Sequence, residues 1–575
     1  RKSMKRIVVD IETTLDHKTI WLCCTKNIDT GETLTWYQAK AFQDYIEDAT
    51  LLIGHNLINF DAYLLNSLWK TKISLKKCYD TLLVSRLLNP SREGGHSLAA
   101  WGSVLGTPKI NYKATWEWLT GRREEYKGEC YDKPHMGLME VYCERDIDVT
   151  ALLYKHLIEA TETEKFSQES VELEHAVAAI MAKQERNGFK LDIPYATVLL
   201  TTIKGRLDSI YESMQERWPP YTVERVSEKT GKPLKAATVV FNPGSRVQIG
   251  EKLIELGWKP TLFTPTANKP IVDESSLKDC LLPEARLIEE YLMLQKRIAQ
   301  IESWLEAVAD DGRVHGRVTT NGAVTGRMTH SKPNMAQIPN SSSIFGPECR
   351  ECWSVEEGNV LAGADASGLE LRMLSHYMKD DEYVATVVNG SSKDGTDVHS
   401  VNQRAAGLDT RDAAKTFIYA FLYGAGNAKI GSIVGGTAKA GGQLKEQFLA
   451  KTPALRALIN KVADVASGGS VPGLDGRRIL VRSEHAALNS LLQGAGAVVM
   501  KKALVLFDEK IRKNKWPVKL VANVHDEFQW ETKENYATIT GEAAVQSIVE
   551  AGLFFKLRCP LNGEYKYGKS WRATH

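Results

Sequence analysis

The sequence predicts a protein of several domains, mixed α/β and α+β in class, and three observations predict it. The chain has 575 residues, 43% of them apolar, which is more than one hydrophobic core accommodates. Two apolar runs, Lys5 to Glu12 (KRIVVDIE) and Val360 to Asp365 (VLAGAD), read as buried strands that reach carboxylates at their ends. A third stretch, Lys519 to Trp530 (KLVANVHDEFQW), is apolar on both sides of the polar His525-Asp526-Glu527, the pattern of a hairpin turn.

In the first run, period two puts Asp10 and Glu12 on one face. Two acids there suit a metal, or simply a solvated strand end, and further acids decide between these. Leu51 to Leu65 is an apolar strand running into a helix that carries Asp61, with Asn56 at the turn. Met139 to Leu153 reads as a helix with Tyr142 and Asp146 four apart on one face. Asp80 and Asp148 read as ordinary helix-start and helix-face residues. The composition turns polar near Thr161, suiting a linker or helix start, and Val171 to Gly188 reads as an amphipathic helix stopped by Asn187-Gly188.

Leu199 to Trp218 and Leu287 to Val308 are long helical patterns, an antiparallel pair or plain helix core. Between them, Pro219 to Val239 holds the turn-like KTGKPL. Asn321 to Pro339 is a polar loop with Arg327, Lys332, Asn334 and Gln337. After Asp365, Ser367 and Glu370 have the spacing of a capping box opening a helix. In Thr410 to Gly426 (TRDAAKTFIYAFLYGAG), Arg411, Lys415, Tyr419 and Tyr423 recur every fourth position, so two cations and two rings share a face. The cations suit a triphosphate and the rings a base and sugar. Glycine from Gly424 to Gly442 and Gly468 to Gly476 predicts hinge-like turns.

A net charge of +2 leaves the partner undecided, because acidic metal sites offset basic grooves in the sum. Nine cysteines predict reduced thiols, and Cys349-Cys352, a lone CxxC, predicts packing. No apolar run is read as membrane-spanning, and the start RKSMKR, where Arg1 before Met4 reads as a remnant of processing or of cloning, lacks a secretory core; a cytoplasmic protein is expected.

The Asp365 segment, RDAAKTFIYAFLYGAG and VHDE resemble motifs A, B and C of the family A DNA polymerases, the group of bacterial DNA polymerase I. NGAVTGRMTHSKPNMAQIP, KQERNGF, HAALNSLLQGAGA and the terminal histidine are similar to the branch found in short-tailed phages. The order of Asp10, Glu12, Asp61, Tyr142 and Asp146 resembles the DEDDy 3′→5′ exonucleases.

The resemblance implies an RNase H-like exonuclease domain over 1–165, a thumb with connecting helices over 166–310, palm over 311–395, fingers over 396–484 and palm again over 485–575. It implies primer-template DNA and dNTPs as substrates. Two Mg2+ ions, replaceable by Mn2+, are implied at each site, held by Asp365, Ala366 and Asp526 in one and by Asp10, Glu12, Asp61 and Asp146 in the other. Glu370, His399, Arg411, Lys415, Tyr419 and Tyr423 would bind the dNTP, Lys415 also as proton donor to pyrophosphate. Arg327, Asn334, Gln337, His485, Gln493 and His525 would contact DNA, and Glu527 would stand next to the metals. Glu370 at the sugar argues against a single-subunit RNA polymerase. The short Pro219 to Val239 argues against a thioredoxin-binding insertion, and the phage setting leaves room for a helicase-primase and a single-strand binding protein.

Overall fold

The computed structural model describes residues 4–575, so Arg1 to Ser3 lie outside the described residues. The described chain falls into two compact units. The first takes the chain up to Asn187, Arg317–Ala336 and Ala362–Tyr567; the second takes Gly188–Gly316, Gln337–Leu361 and Gly568–His575.

The first unit carries two larger sheets, of five and four strands, beside two two-stranded ones. Five strands order as Thr33–Trp36, Ile20–Asn27, Arg6–Thr13, Leu51–Gly54 and Cys78–Asp80. The first two neighbouring pairs are antiparallel and the last two parallel. Arg6–Thr13 is the central strand, and Ile7, Val8 and Val9 are buried, as a β-branched run covered on both faces requires. Helix Met136–Thr163 packs on this sheet and buries Tyr142, Cys143, Asp146 and Val149. Helix Gln168–Asn187 follows and ends as the sequence predicts, with Gly188 at φ 67°.

The second sheet orders as Lys519–Val524, Glu527–Lys533, Asn359–Ala366 and Gly563–Gly568. Its first two strands form the expected hairpin, with Val524 opposite Glu527 and His525 at φ 54°. Gly363 is needed in its strand: a Cβ there would lie 2.2 Å from Gln529 Nε2. The capping box is not formed. Helix Leu369–Met378 starts behind Gly368 in a left-handed conformation with no side-chain cap, and the Ser367 N–H donates to the Asn562 carbonyl at 2.9 Å. A tie to a distant segment has taken the role that the spacing suggested for a local one.

Helix Arg411–Leu422 is capped by Thr410, whose hydroxyl accepts from the Ala413 N–H at 3.1 Å. Its buried side carries Phe417, which meets Phe448 edge-on at 5.1 Å. The glycines that follow are only partly turns. Gly424 and Gly435 take positive φ, but Gly431 and Gly441 sit inside helices Asn427–Ile433 and Ala438–Lys451, where a Cβ would fall 2.0 Å from the Thr437 carbonyl and 1.9 Å from the Asn427 carbonyl. There glycine allows close helix contact, correcting the expectation of hinges.

One helical segment, Glu484–Asn514, is long and apolar enough by length and composition to cross a membrane, unlike the sequence reading. With 72% of its apolar window buried inside the protein, it is accounted for as a core helix, packed against helix Ala537–Phe554.

In the second unit, helices Ile193–Arg217 and Pro283–Ala307 pack together. The ion pairs Lys204–Glu302, Arg206–Glu290 and Arg217–Glu284 run in opposite chain directions, which makes the pair antiparallel. Pro219 to Val239 forms an exposed hairpin of Tyr221–Val226 and Pro233–Val239. Phe189, Trp304, Trp353 and Trp571 make a small aromatic core, with Cys349 and Cys352 buried as free thiols.

Candidate active sites

Two carboxylate sites lie in the first unit. At the N-terminal one, alternation along Arg6–Thr13 sets Asp10 and Glu12 on one side, and the helical turn sets Tyr142 with Asp146. These four line a cavity of about 290 Å³. Asp61 opens helix Asp61–Leu68 and accepts from the Ile11 N–H at 3.1 Å, fixing it against the same strand. Burial followed by the Asp146 charge pushes the Asp10 carboxyl up to about 7. Glu12 and Asp61 are likewise raised, by burial and then by Asp10, and Asp146 is raised by burial. Acids gathered so closely favour a cation among them, and their hard oxygen donors suit Mg2+ or Mn2+.

Two residues here escaped sequence reading. Lys109, in the loop before helix Tyr112–Thr120, sets its Nζ 2.8 Å from Asp146 Oδ2 and 4.9 Å from the Tyr142 ring centroid. Cys143 places Sγ 3.4 Å from Asp10 Oδ2, and its position between Tyr142 and Asp146 was the only hint. Asp80 is the expected helix start, accepting from Asn56, Ile58 and Leu82, and Asp148 pairs with Lys26 at 2.8 Å.

At the second site, Asp365 stands near the end of Asn359–Ala366, and Asp526 fills the hairpin turn. The Ala366 N–H donates to the Asp526 carbonyl at 2.9 Å, tying the two strand ends. Gly563 lets the next strand approach, since a Cβ there would lie 2.7 Å from the Asp365 carbonyl. A cavity of about 360 Å³ is lined by Arg327, Glu370, Tyr423, Gln493, His525 and Asp526 among others. The half-exposed Tyr423 donates its hydroxyl to Glu370 Oε2 at 2.9 Å. Burial raises the Glu370 carboxyl, which Tyr423 and Arg327 oppose; burial and Glu370 push Tyr423 up to about 12. His525 is lowered by burial and by Arg327.

The Arg411 face continues from this cavity. Burial raises Tyr419, with Glu370 and Asp526 adding to it, so its ring is within electrostatic reach of both acids. The ring lies 6.0 Å from His399, which burial and Arg411 lower. Arg411 donates through Nε and Nη2 to Asp397 Oδ2 at 3.0 and 2.8 Å. Burial works against the Asp397 charge, yet Arg411 and Ser400 hold this carboxyl at about 2. Asp397 was missed because its partner is 14 residues on. Lys415 has no ion-pair partner among the described residues.

Of the predicted polymerase-site residues, Asp365, Ala366, His399, Arg411, Lys415 and Tyr419 do not line this cavity, and neither do three of the six predicted DNA contacts. His485 is exposed in the turn Glu484–Ala486; Asn334 accepts from the Ala336 N–H at 3.1 Å; Gln337 belongs to the second unit, where its carbonyl accepts from Gln300 at 3.0 Å. Lys501, unpredicted, does line it, and its Nζ donates to Glu174 Oε1 at 2.5 Å. Glu527 is buried beside Asp526 and accepts from Gln529 at 2.8 Å.

The model of DNA polymerase family A matches residues 220–573. This chain belongs to DNA polymerase family A. The family A match takes in Asp365, the Arg411 helix and Asp526. The chain is 34% identical to the DNA-directed DNA polymerase of Enterobacteria phage T3, over 93% of this chain and 94% of that one. It is 35% identical to the DNA-directed DNA polymerase of Escherichia phage T7, over 91% and 92%. DNA polymerase I of Bacillus subtilis is 25% identical over 86% of this chain and 55% of its own length. The solved polymerase domain of Pol1 from M. smegmatis, in complex with DNA primer-template and dNTP, superposes with a TM-score of 0.78 at 19% identity, covering 100% of this chain and 96% of that one, and so shares the family A fold.

Proposed function

We propose that this chain is a template-directed DNA polymerase that replicates a phage genome in the host cytoplasm and proofreads through its own 3′→5′ exonuclease. The observation that carries the reading is the pair of strand ends bearing Asp365 and Asp526, tied by the Ala366–Asp526 hydrogen bond, with Asp526 lining the same cavity as Glu370 and Tyr423. In this reading residues 1–165 are the exonuclease domain, 166–310 the thumb and connecting helices, 311–395 and 485–575 the palm, and 396–484 the fingers.

Asp365, Ala366 and Asp526 would hold two Mg2+ ions, and Asp10, Glu12, Asp61 and Asp146 would hold two more. Bound ions lower the pKa of an attacking oxygen and neutralise phosphate charge. The protein does the positioning. Lys415 and Arg411 take the triphosphate, Arg411 being already oriented by Asp397, and Lys415 gives a proton to the leaving pyrophosphate. His399 adds a phosphate contact. Glu370, held by the Tyr423 hydroxyl, fills the space a ribose 2′-hydroxyl needs. Arg327, Gln493 and His525 face the primer-template from the cavity wall, and His485, Asn334 and Gln337 are assigned to DNA by their places in the family motifs. At the other site Tyr142 orients the attacking water.

A primer-extension assay with Mg2+ and all four dNTPs tests this. Templated extension is expected; degradation of single strands without any extension would reduce the protein to a nuclease.

A further inference from the structure

The N-terminal site contains a cation that the exonuclease chemistry described above does not use. Lys109 is the sole ion-pair partner that Asp146 has among the described residues, and Asp10, Glu12 and Asp61 have none. Its Nζ is 2.8 Å from Asp146 Oδ2, while Asp146 Oδ1 is buried without a hydrogen-bond partner. The lysine comes from a loop, its side chain is 23% exposed, and its ammonium passes beside the Tyr142 ring.

The charge balance points to movement. A single ammonium paired with Asp146, in a pocket of four acids, is held in place while no divalent ion is present. Once two divalent ions load, the acids are neutralised and an ammonium beside Asp146 faces like charge. Its four-carbon stem is flexible enough to leave Asp146 past the ring of Tyr142, which lines the cavity. The negative charge that arrives there with a substrate is the phosphodiester itself.

We propose that Lys109 is a mobile counter-ion of the exonuclease site: it occupies Asp146 before the ions load, and then moves to a non-bridging oxygen of the scissile phosphodiester. This rests on the exonuclease reading above. In the loaded state Lys109 thus contacts substrate and helps carry the charge that develops on the phosphate. Arginine at this position keeps the charge but not the compact head; methionine keeps the length and loses the charge.

The test uses the full chain as wild type, Lys109→Met and Lys109→Arg, with Asp10→Ala as the site control and thermal melting to confirm folding. Mn2+ titrated calorimetrically without DNA reads the first half: the component lost in Asp10→Ala should bind at least about threefold more tightly in Lys109→Met, because no ammonium is displaced. Single-turnover degradation of a single-stranded oligonucleotide at saturating Mg2+ reads the second half. It should fall at least about tenfold in Lys109→Met and recover in part in Lys109→Arg. A lysine that only balances charge for folding predicts a saturated rate within twofold of wild type in a folded Lys109→Met, and that result, or unchanged or weaker Mn2+ binding, overturns the proposal. A wild type that degrades nothing overturns the exonuclease reading itself; degradation abolished by Asp10→Ala but indifferent to Lys109 overturns the counter-ion alone.

Discussion

Tyr419 sets its ring 6.0 Å from that of His399 and feels the charges of Glu370 and Asp526, with Phe417 on the packed side of the same helix. A phenol in that place can supply the hydrogen bond that a sugar without its 3′-hydroxyl cannot make. Wild type should therefore accept ddNTPs nearly as well as dNTPs, and Tyr419→Phe should discriminate by at least roughly tenfold, the worth of one hydrogen bond in an enclosed site. Competition assays with mixed nucleotides read this, and equal selectivity in both proteins would remove Tyr419 from the nucleotide site. Asp10 makes a prediction in pH. Its ordinary value is 3.8 and burial with Asp146 moves it to about 7, so between those values the folded, ion-free chain holds a proton that the unfolded chain has released. Stability therefore falls as pH rises through that window, by up to about 1.4 kcal/mol per pH unit. Asp10→Asn should melt higher than wild type near pH 7.5 without divalent ions and at nearly the same temperature near pH 4; no pH dependence in that difference would contradict the crowding of the acids. At this scale the sequence showed what local period can show: Asp10 with Glu12, Tyr142 with Asp146, and the Arg411 face. Lys109, Asp397 and Lys501 stayed hidden because each is defined by a partner brought near only by folding.

Among the elements, helix Gln168–Asn187 is pinned to the polymerase cavity by Glu174, which accepts from Lys501 at 2.5 Å and from Arg477 at 2.6 Å. All three are buried, and Arg477 is also held by Asp475 at 2.7 Å. This network explains why the helix belongs to the first unit although the sequence division put it in 166–310. Burial, with the Arg477 charge adding to it, pushes Lys501 down to about 8 against the pull of Glu174. Glu174→Gln should destabilise the protein by roughly 3–5 kcal/mol by leaving Lys501 uncompensated. Denaturant unfolding measures it, and a loss below about 1 kcal/mol would mean the charges are reached by water. Strand and helix identity was legible from apolar runs and periodicity. The capping box at Ser367 and the hinges at Gly431 and Gly441 were misread because tertiary contacts, the Asn562 carbonyl and a neighbouring helix backbone, decided the local geometry.

For the whole molecule, Pro219 to Val239 forms only the short hairpin of Tyr221–Val226 and Pro233–Val239. Added thioredoxin should leave product length per binding event unchanged, and a large increase would show that the hairpin suffices to recruit it. The proposed function requires two separate carboxylate sites in one chain, one to extend DNA and one to remove its 3′ end. Extension and single-strand degradation are therefore to be measured side by side on wild type, Asp526→Ala and the double variant Asp10→Ala with Glu12→Ala. Wild type should do both, Asp526→Ala should lose extension and keep degradation, and the double variant should lose degradation and keep extension; loss of both activities together in a folded variant would contradict the separation of the two sites.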